Sequence, residues 1–573
     1  MRDKKILLMA LPFWSPLIPM QGIAAIKSFL QKYGYGVKTI DLAVDGELLD
    51  DYQHYFDVIK KIVPEEKRGN FYNIGHDVLR NHMMAHVNYF NSSVMGNSVD
   101  ESNPERYHEL VDMIIFNTYH CHAETEHIRE LNRVLDRFYN VLEQKFLKIV
   151  DEEKPAILGL SVNSGNLPAS RFVFELTRKH NPSIQTIMGG SIFFNHLAVG
   201  NPDLDLFLEK TKTYIDKVII GKGEILFLKL LRGEFPETKR LLTQDDVTDE
   251  ETEIYQTEIP DLSDYNLEHY FYLAAGGSSS CPNKCSFCNV GNFFGKFKKK
   301  SAAQTVREMA DLSRRYGHRL FFMTDSLLNY VITDVAAENI RAGVCVYMDG
   351  YFIADDAAAD IGNTILWRRG GFYRARLGVE SGSQRVLDMI GKHITPAQIK
   401  AAVSGLAFAG IKTTTYWVIG HPGETEDDFQ QTLDLVEELK DEIWQAECNP
   451  FTYYYIGQSK TNEWADKRKL VYPEHFSDAL MSRTWALDLE PSYEEIYSRV
   501  SRFARHCNKL GIPNPYSADE IYKADERWKR LHKHAVPSII DIINNQCEPD
   551  ESRKIKPVIA VQDKKKDDGD FGF

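Results

Sequence analysis

Cysteine is scarce, with eight residues in a chain of 573. A disulfide-stapled scaffold needs a far denser supply, so a reducing setting is expected, with thiols free for metal. No run reaches the roughly 18 apolar residues of a membrane helix. The opening MRDKKILLMALPFW has a basic flank but only a short apolar run, and it lacks the small-residue cleavage pattern of a secretory signal. A cytoplasmic protein with no membrane partner is therefore expected. Positive charge is also in short supply. The formal net charge of -14 favours solubility and argues against a non-specific nucleic-acid binder, and basic runs such as GKFKKK read as solvated faces. Neither an internal repeat nor a compelling nucleophilic triad is visible. What remains is ordinary globular composition, 43% hydrophobic and 26% charged, in a length that suggests about three domains.

The residues that are present alternate between strand and helix patterns. The first segment reads as strand KILLMAL, a Pro-rich turn PFWSPLIPMQG, helix IAAIKSFLQKYG and strand VKTIDL, the order of a parallel α/β unit. The pattern resumes with PAILGLSV, ASRFVFELTRKH, IQTIMGGS, IDKVIIGKG and EILFLKLLRG. Residues 45–150 are rich in His, Tyr and Asn and poor in strand-like runs, which predicts a helical insertion in a doubly wound, Rossmann-like domain over 1–233. Three motifs follow strands on its carboxyl edge: Ser161 with Asn163, Gly189-Gly190-Ser191, and Gly221 through Glu224. Loops and helix starts converge at such an edge, making it a candidate cofactor crevice, although glycine at a strand end also serves simple turns.

Residues 234–270 are acidic and irregular and read as a surface linker. A second α/β series over 271–470 has strands at HYFYLAA, RLFFMTD, GVCVYMD, FYRARLGVE, IKTTTYWVIG and ECNPFTYYY. Six strand-plus-helix units without a seventh and eighth predict an open, partial (β/α)6 TIM-type barrel. Residues 471–548 read as a helical, aromatic region, and 549–573 as a tail low in packing residues.

Cys281, Cys285 and Cys288 fall within GGSSSCPNKCSFCNVGN, a C-x3-C-x2-C spacing just after a strand. Thiolates so spaced can wrap one metal centre. Structural zinc usually takes four ligands, often as two C-x2-C knuckles, and no second knuckle exists. Cys345, the nearest later cysteine, lies in an apolar strand-like run and is expected to be a small buried hydrophobe. A four-iron cluster held by three cysteines leaves one iron open to an external ligand, whereas most such clusters have four. Zinc, an iron–sulfur cluster and three unligated loop thiols all stay open on spacing alone. His120, Cys121, His122 and His127 in YHCHAETEHIRE lack a partner carboxylate cluster, so a packed or substrate-facing helix is expected there.

The cysteine stretch resembles the cluster loop of radical S-adenosylmethionine enzymes, down to the aromatic Phe287 before the last cysteine. The resemblance implies that Cys281, Cys285 and Cys288 hold a [4Fe-4S] cluster whose open iron takes the amine and carboxylate of S-adenosyl-L-methionine. RLGVESGSQRVLDMIGK is similar to the strand that presents Glu380 and Ser381 to this cofactor. YWVIGHPGET is similar to the strand end where Gly420, Pro422 and Gly423 approach its adenosine. A Gly-Gly-Glu-like stretch common after the second barrel strand is replaced by Thr324, Asp325 and Ser326, followed by Asn329. Asp325 is assigned to the cofactor, with substrate contact or capping of the next helix as alternatives.

A doubly wound domain ahead of such a barrel resembles the cobalamin-binding members of that family. The matching features are a Pro-rich first loop (Pro12, Pro16, Pro19, Gly22), Ser161 of GLS, Gly189 and Gly190 of MGG, and Gly221, Gly223 and Glu224 of Gly-x-Gly-Glu. The resemblance covers residues 1–42 and 150–450. The Asp-x-His-x-x-Gly motif that supplies a lower axial histidine in many cobalamin proteins is absent, which implies cobalt with no histidine below it. The implied activity moves a methyl group from S-adenosylmethionine, via methylcobalamin, to an unactivated carbon of a peptide or other natural product. The layout is similar to enzymes that mature ribosomally made peptides. The alternative is a cobalamin-dependent rearrangement, cyclisation or cross-linking without methyl transfer. An external electron donor such as flavodoxin or ferredoxin is implied. Tyr453, Tyr454 and Tyr455 in the strand-like FTYYYIG are candidate substrate contacts, with core packing as the alternative.

Overall fold

Strand β1 (Ile6–Ala10) is buried along its whole length. Its alternate residues serve two separate cores: Leu7 and Met9 cluster with Phe138 and Leu142, whereas Ile6 and Leu8 cluster with Phe29 and Leu226. A strand covered on both faces has no polar face to show, hence the unbroken apolar run. The computed structural model describes residues 4–13, 17–68, 70–90, 104–254 and 258–544. Pro16 and the tail 549–573 lie outside the described residues. The chain divides into two compact units, one drawn from Met1–Tyr270, Phe287–Phe293 and Thr452–Ser501, the other from Phe271–Ser286, Phe294–Phe451 and Arg502–Phe573.

In the first unit, β2 (Val37–Asp41), β3 (Ile157–Ser161), β4 (Gln185–Gly189), β5 (Lys217–Ile219) and β6 (Leu241–Leu242) join β1 in a parallel sheet. Its order is β2-β1-β3-β4-β5-β6. The chain leaves β1 for one neighbour and returns as β3 on the other side, so the loops after β1 and β3 part at a switch point. β6 arises inside the acidic stretch read as a linker, and at two residues it is too short to show periodicity. Beyond it, the buried Lys27 meets Asp261 at 3.0 Å and Asp264 at 2.8 Å, and Asp264 accepts from the Thr39 amide at 2.9 Å. Burial works against ionisation of Asp264, but Lys27 and the amide outweigh it and hold the carboxyl down to about 2.

Between β2 and β3 run four helices, Gly46–Ile62, Phe71–Phe90, Pro104–Tyr119 and Thr125–Glu153. Asp45 starts the first, accepting from the amides of Glu47 at 3.2 Å and Leu48 at 3.3 Å. The polar residues that set this composition pair with one another inside. His82 lies 3.0 Å from both the Tyr55 and Tyr107 hydroxyls and 3.1 Å from Asn132, and burial drives its ring down to about 3. YHCHAETEHIRE is not one helix. Residues 120–124 turn between the third and fourth helices, where His122 stacks on Phe116 at 4.5 Å and bonds Asp112 at 2.8 Å.

The second unit contains β7 (Leu273–Ala275), β8 (Ser278–Ser279), β9 (Lys298–Lys299), β10 (Leu320–Met323), β11 (Tyr347–Ile353), β12 (Phe372–Glu380), β13 (Lys412–Ile419) and β14 (Gln445–Pro450). β8 and β9 form a short antiparallel ribbon flanking the cysteine stretch. The other six make a parallel sheet in the order β7-β10-β11-β12-β13-β14, with each strand beside its successor in sequence. Helices such as Ala302–Tyr316, Ile332–Ala342 and Glu426–Glu438 fill the crossovers, giving an open, partial (β/α)6 barrel. A helical C-terminal region follows, fixed by a Lys412–Asp525 pair of 2.5 Å whose side chains are 1% and 5% exposed. Burial pulls Lys412 below its ordinary value despite that partner.

Two expectations change. Cys345 is exposed, not buried, because the preceding helix is still unwinding there. Gly343 takes φ 64°, the Val344 amide bonds Asn339 O at 3.0 Å, and β11 starts only at Tyr347. β14 ends at Pro450, so Tyr453, Tyr454 and Tyr455 stand in a loop rather than a strand. The Gln458 side chain supplies the bonds a neighbouring strand would give, donating to Thr452 O at 2.7 Å and accepting from the Tyr454 amide at 3.0 Å. No described helix is long and apolar enough to cross a membrane.

Candidate functional site

The carboxyl edge of the first unit's sheet combines close backbone approach with an unused donor. Gly190 sits at φ 119°, and a Cβ there would lie 2.3 Å from Val162 O, so only glycine fits. Asn163 and Asn166 hold each other, amide to side chain, at 2.8 and 3.1 Å, and Asn166 also donates to Ser161 O at 3.1 Å. That leaves Asn163 Nδ2 buried with no hydrogen-bond partner, a costly arrangement unless a ligand completes it. Gly189 ends β4, and Gly190, Ser191 and Gly221 are exposed beside it. Gly221 takes φ 108°. Gly223 and Glu224 open the helix Gly223–Leu231, and burial raises the Glu224 carboxyl. Pro12 is buried in the loop after β1. Left-handed glycines with an orphaned amide donor suit a ligand rich in amide acceptors lying across these loops, and so fit cobalamin.

In the second unit Cys281 is half-buried and Cys285 buried, and in the first unit Cys288 is half-buried; none is in a disulfide. Among the described residues no three His, Cys, Asp or Glu side chains gather closely enough to hold a metal ion. A four-iron cluster spreads its ligands wider than one ion does, and cysteine thiols outside any disulfide are the donors it takes. Asp325 is fully buried. One oxygen accepts from the Gly277 amide at 3.0 Å and the other from the Ser278 hydroxyl, so it anchors the strand leading to Cys281. Burial raises its carboxyl. It caps no helix, since the next turn begins at Leu327 without a side-chain cap. Thr324 bonds Ala275 O through its amide at 2.7 Å. Asn329 pairs with both backbone groups of Ile353 at 2.9 and 3.0 Å, which makes it structural.

Glu380 ends β12 in the left-handed region at φ 67°, with Lys392 Nζ 2.5 Å from its Oε1. A Cβ on Gly378 would fall 2.6 Å from Glu380 and 2.8 Å from Lys392, so glycine there makes room for the pair. Ser381 is fully buried and lies 3.2 Å from the Thr432 hydroxyl. Gly420 and Gly423 take φ 84° and 87° around Pro422, and the Gly420 amide donates to Glu424 at 2.9 Å. These tight left-handed bends, with Gly423 exposed, leave backbone that an adenosyl group can approach closely.

His421 escaped the sequence reading. It is 1% exposed, with Nδ1 3.0 Å from Pro422 O and Nε2 2.7 Å from the hydroxyl of Ser286, the residue after Cys285. A carbonyl only accepts, so Nδ1 carries the proton and Nε2 accepts from Ser286. The ring therefore ties the GHPGE turn to the cysteine loop. Lys392 was missed too, since nothing in its local pattern marks it. Arg374 and Arg376 had a signal, charged residues two apart in the buried β12, and Asp349 is the one charged residue of β11. In the first unit, Phe287 O accepts from Gln458 at 3.0 Å. Burial pushes the Tyr453 hydroxyl up and that of Tyr454 up to about 12. Tyr454 packs edge-on to His196 at 6.4 Å, and Tyr455 lies under the Arg468 guanidinium at 4.3 Å.

Comparison with known proteins agrees with this geometry. Residues 277–436 match the family model described as the radical SAM superfamily. The chain is 22% identical over 398 residues to the anaerobic magnesium-protoporphyrin IX monomethyl ester cyclase of Rubrivivax gelatinosus, covering 64% of this chain and 68% of that one. It is 24% identical over 320 residues to an uncharacterized methyltransferase of Pyrococcus horikoshii, covering 51% and 66%. It thus spans about two thirds of these relatives' lengths. Its fold matches the radical S-adenosylmethionine methyltransferase TsrM from Kitasatospora setae, solved with cobalamin and a [4Fe-4S] cluster, at TM-score 0.57 and 13% identity over 92% of this chain and 99% of that one. The cysteine motif, the open barrel behind it and the superfamily match converge: residues 277–436 are a radical S-adenosylmethionine domain, and the chain has the fold of a solved cobalamin-containing enzyme of that kind.

Proposed function

We propose that the chain is a cobalamin-dependent radical S-adenosylmethionine methyltransferase acting on an unactivated carbon of a peptide or other natural product. The observation that carries the reading is the superfamily match spanning the C-x3-C-x2-C loop and the Glu380 and Gly420 turns. When bound, the cluster, S-adenosylmethionine and cobalamin would supply the electron, the hydrogen-abstracting radical and the methyl group. Cys281, Cys285 and Cys288 would hold the cluster, with Phe287 beside it. Glu380, Ser381, Gly420 and Pro422 would position S-adenosylmethionine, with Asp325 fixing the approach to the cysteine loop and Lys392 the orientation of Glu380. Pro12, Ser161, Asn163, Gly189, Gly190, Ser191, Gly221, Gly223 and Glu224 would cradle cobalamin. Tyr453, Tyr454 and Tyr455 would shield the substrate from water, and a flavodoxin or ferredoxin would serve as electron donor.

The test incubates the full chain, reconstituted anaerobically, with candidate peptides and methyl-deuterated S-adenosylmethionine, and follows products by mass spectrometry. A labelled product is expected. A modified product without label sinks methyl transfer and supports the second reading, cyclisation or rearrangement, which the resemblance to a cyclase favours.

A further inference from the structure

The inner face of the second unit's sheet carries side chains that no cofactor assignment uses. Register sets Phe322 beside Asp349, Tyr351 beside Arg376, and Tyr416 beside Glu447. Their contacts place them on one face. Arg376 grips Asp349 through bonds of 2.7 and 2.8 Å, reaches the Tyr416 hydroxyl at 3.2 Å and lies over the Phe322 ring at 5.0 Å. Tyr351 meets Phe322 at 5.8 Å and Tyr416 at 5.9 Å. Towards the amino ends of the strands this lumen is closed. Asp349, Thr414 and Gln445 are fully buried and Arg374 is 4% exposed, with Arg374 bonded to Thr414 at 3.0 Å. One layer higher it is open, since Tyr351 is 39% exposed and Phe322, Tyr416, Glu447 and Asn449 are partly so.

The open layer holds unused hydrogen-bonding capacity. Among the described residues the Tyr351 hydroxyl meets no partner. The Tyr416 hydroxyl accepts from Arg376, so its own proton is free to donate. Glu447 has only a 3.4 Å contact from Asn449 and the Tyr516 hydroxyl nearby, and no described cation forms an ion pair with it. Burial raises its carboxyl.

We propose that this layer is a substrate subsite that takes an uncharged amide, such as a peptide bond or a carboxamide side chain. The inference rests on the substrate-modifying function proposed above and names the chemistry recognised. Charge decides between ligand classes. An anion would face Asp349 and Glu447, and Arg376 is already neutralised by its bidentate partner. An ammonium would compete with Arg376, which already occupies the Phe322 ring and lies 5.9 Å from Tyr351. An amide satisfies both ends at once, its carbonyl accepting from the phenols and its N–H donating to Glu447, while the three rings cover its apolar flank.

The test measures saturation-transfer NMR on the full chain with three probes sharing one ring: N-acetylphenylalanine amide, phenethylamine and 3-phenylpropionate. The diamide is expected to bind and the two ions to bind weakly or not at all. Tyr351→Phe and Glu447→Leu should each weaken the diamide about fivefold, one hydrogen bond's worth, while Glu447→Gln, which keeps an acceptor, should retain it. Circular dichroism of each variant checks the fold, and Tyr351→Phe opens no cavity. Preference for either ion, loss of the diamide on Glu447→Gln alone, indifference to all three substitutions, or no binding by any probe would overturn the proposal. Binding requires no turnover, so amide selectivity can survive a failure of methyl transfer, and methyl transfer can succeed without it.

Discussion

The His421–Ser286 bond makes a prediction whose size follows from the geometry. Both partners are 1% exposed, and the bond is 2.7 Å. Removing the acceptor strands a buried hydroxyl, which costs about 2 kcal/mol, or roughly 6 °C in a thermal transition of a unit this large. His421→Gln and His421→Asn separate the bond from the bulk of the ring. Glutamine Oε1 reaches the place of Nε2 and can still accept from Ser286, whereas the asparagine side chain ends near the place of Nδ1. The expected order of melting temperature and of iron retained after anaerobic desalting is wild type, then Gln, with Asn and Ser286→Ala lowest and alike. The double variant His421→Asn/Ser286→Ala should lose less than the sum of the two, because the stranded hydroxyl is gone. Equal losses for Gln and Asn, or an additive double variant, would refute the claim that this hydrogen bond ties the turn to the cysteine loop.

Other predictions follow from the same kind of reading. Gly190→Ala forces a Cβ to 2.3 Å from Val162 O at φ 119°, so cobalamin uptake, followed by its visible absorption, should fall sharply while iron content is kept. Asp264 is held at about 2 when folded, below its ordinary unfolded value. Its contribution of about 2 kcal/mol is present above pH ~4 and lost as pH falls from 4 towards 2, and acid unfolding of Asp264→Asn should show a correspondingly smaller slope there. Lys412→Met leaves Asp525 buried without its cation and should cost about 3–5 kcal/mol in urea unfolding, whereas Lys412→Met with Asp525→Leu should recover most of it. Alanine at Cys281, Cys285 or Cys288 should abolish iron binding and S-adenosylmethionine cleavage, and alanine at Cys345 should leave both unchanged.

The fold was legible because parallel strands covered on both faces announce themselves as short apolar runs separated by helices. β1, β3, β4, β10 and β12 stand where those runs are. What escaped was set by tertiary contact. β6 is two residues long, and its strand character comes from pairing with β5. FTYYYIG has strand propensity, yet Gln458 folds back and takes the bonds that would have extended β14. The cysteine loop was readable from spacing, but its fastening by His421 and Asp325 joins positions 135 and 47 residues apart, distances no local pattern carries. Arg374 and Arg376 could have been found by asking why charge recurs two residues apart in the buried β12, and Asp349 by asking why the neighbouring β11 carries a single acid.

In the proposed subsite the buried Asp349–Arg374–Arg376 layer would also work as a depth gauge. Arg376 and Gly378, near the strand end, stand two positions apart, about 7 Å along the strand. That floor is pinned by a bidentate ion pair and by bonds to Thr414 and Tyr416, so it cannot retreat to admit a longer group. A side chain entering the proposed subsite would be measured against a fixed stop, so that discrimination by length would come from the sheet itself before any recognition of chemical detail began.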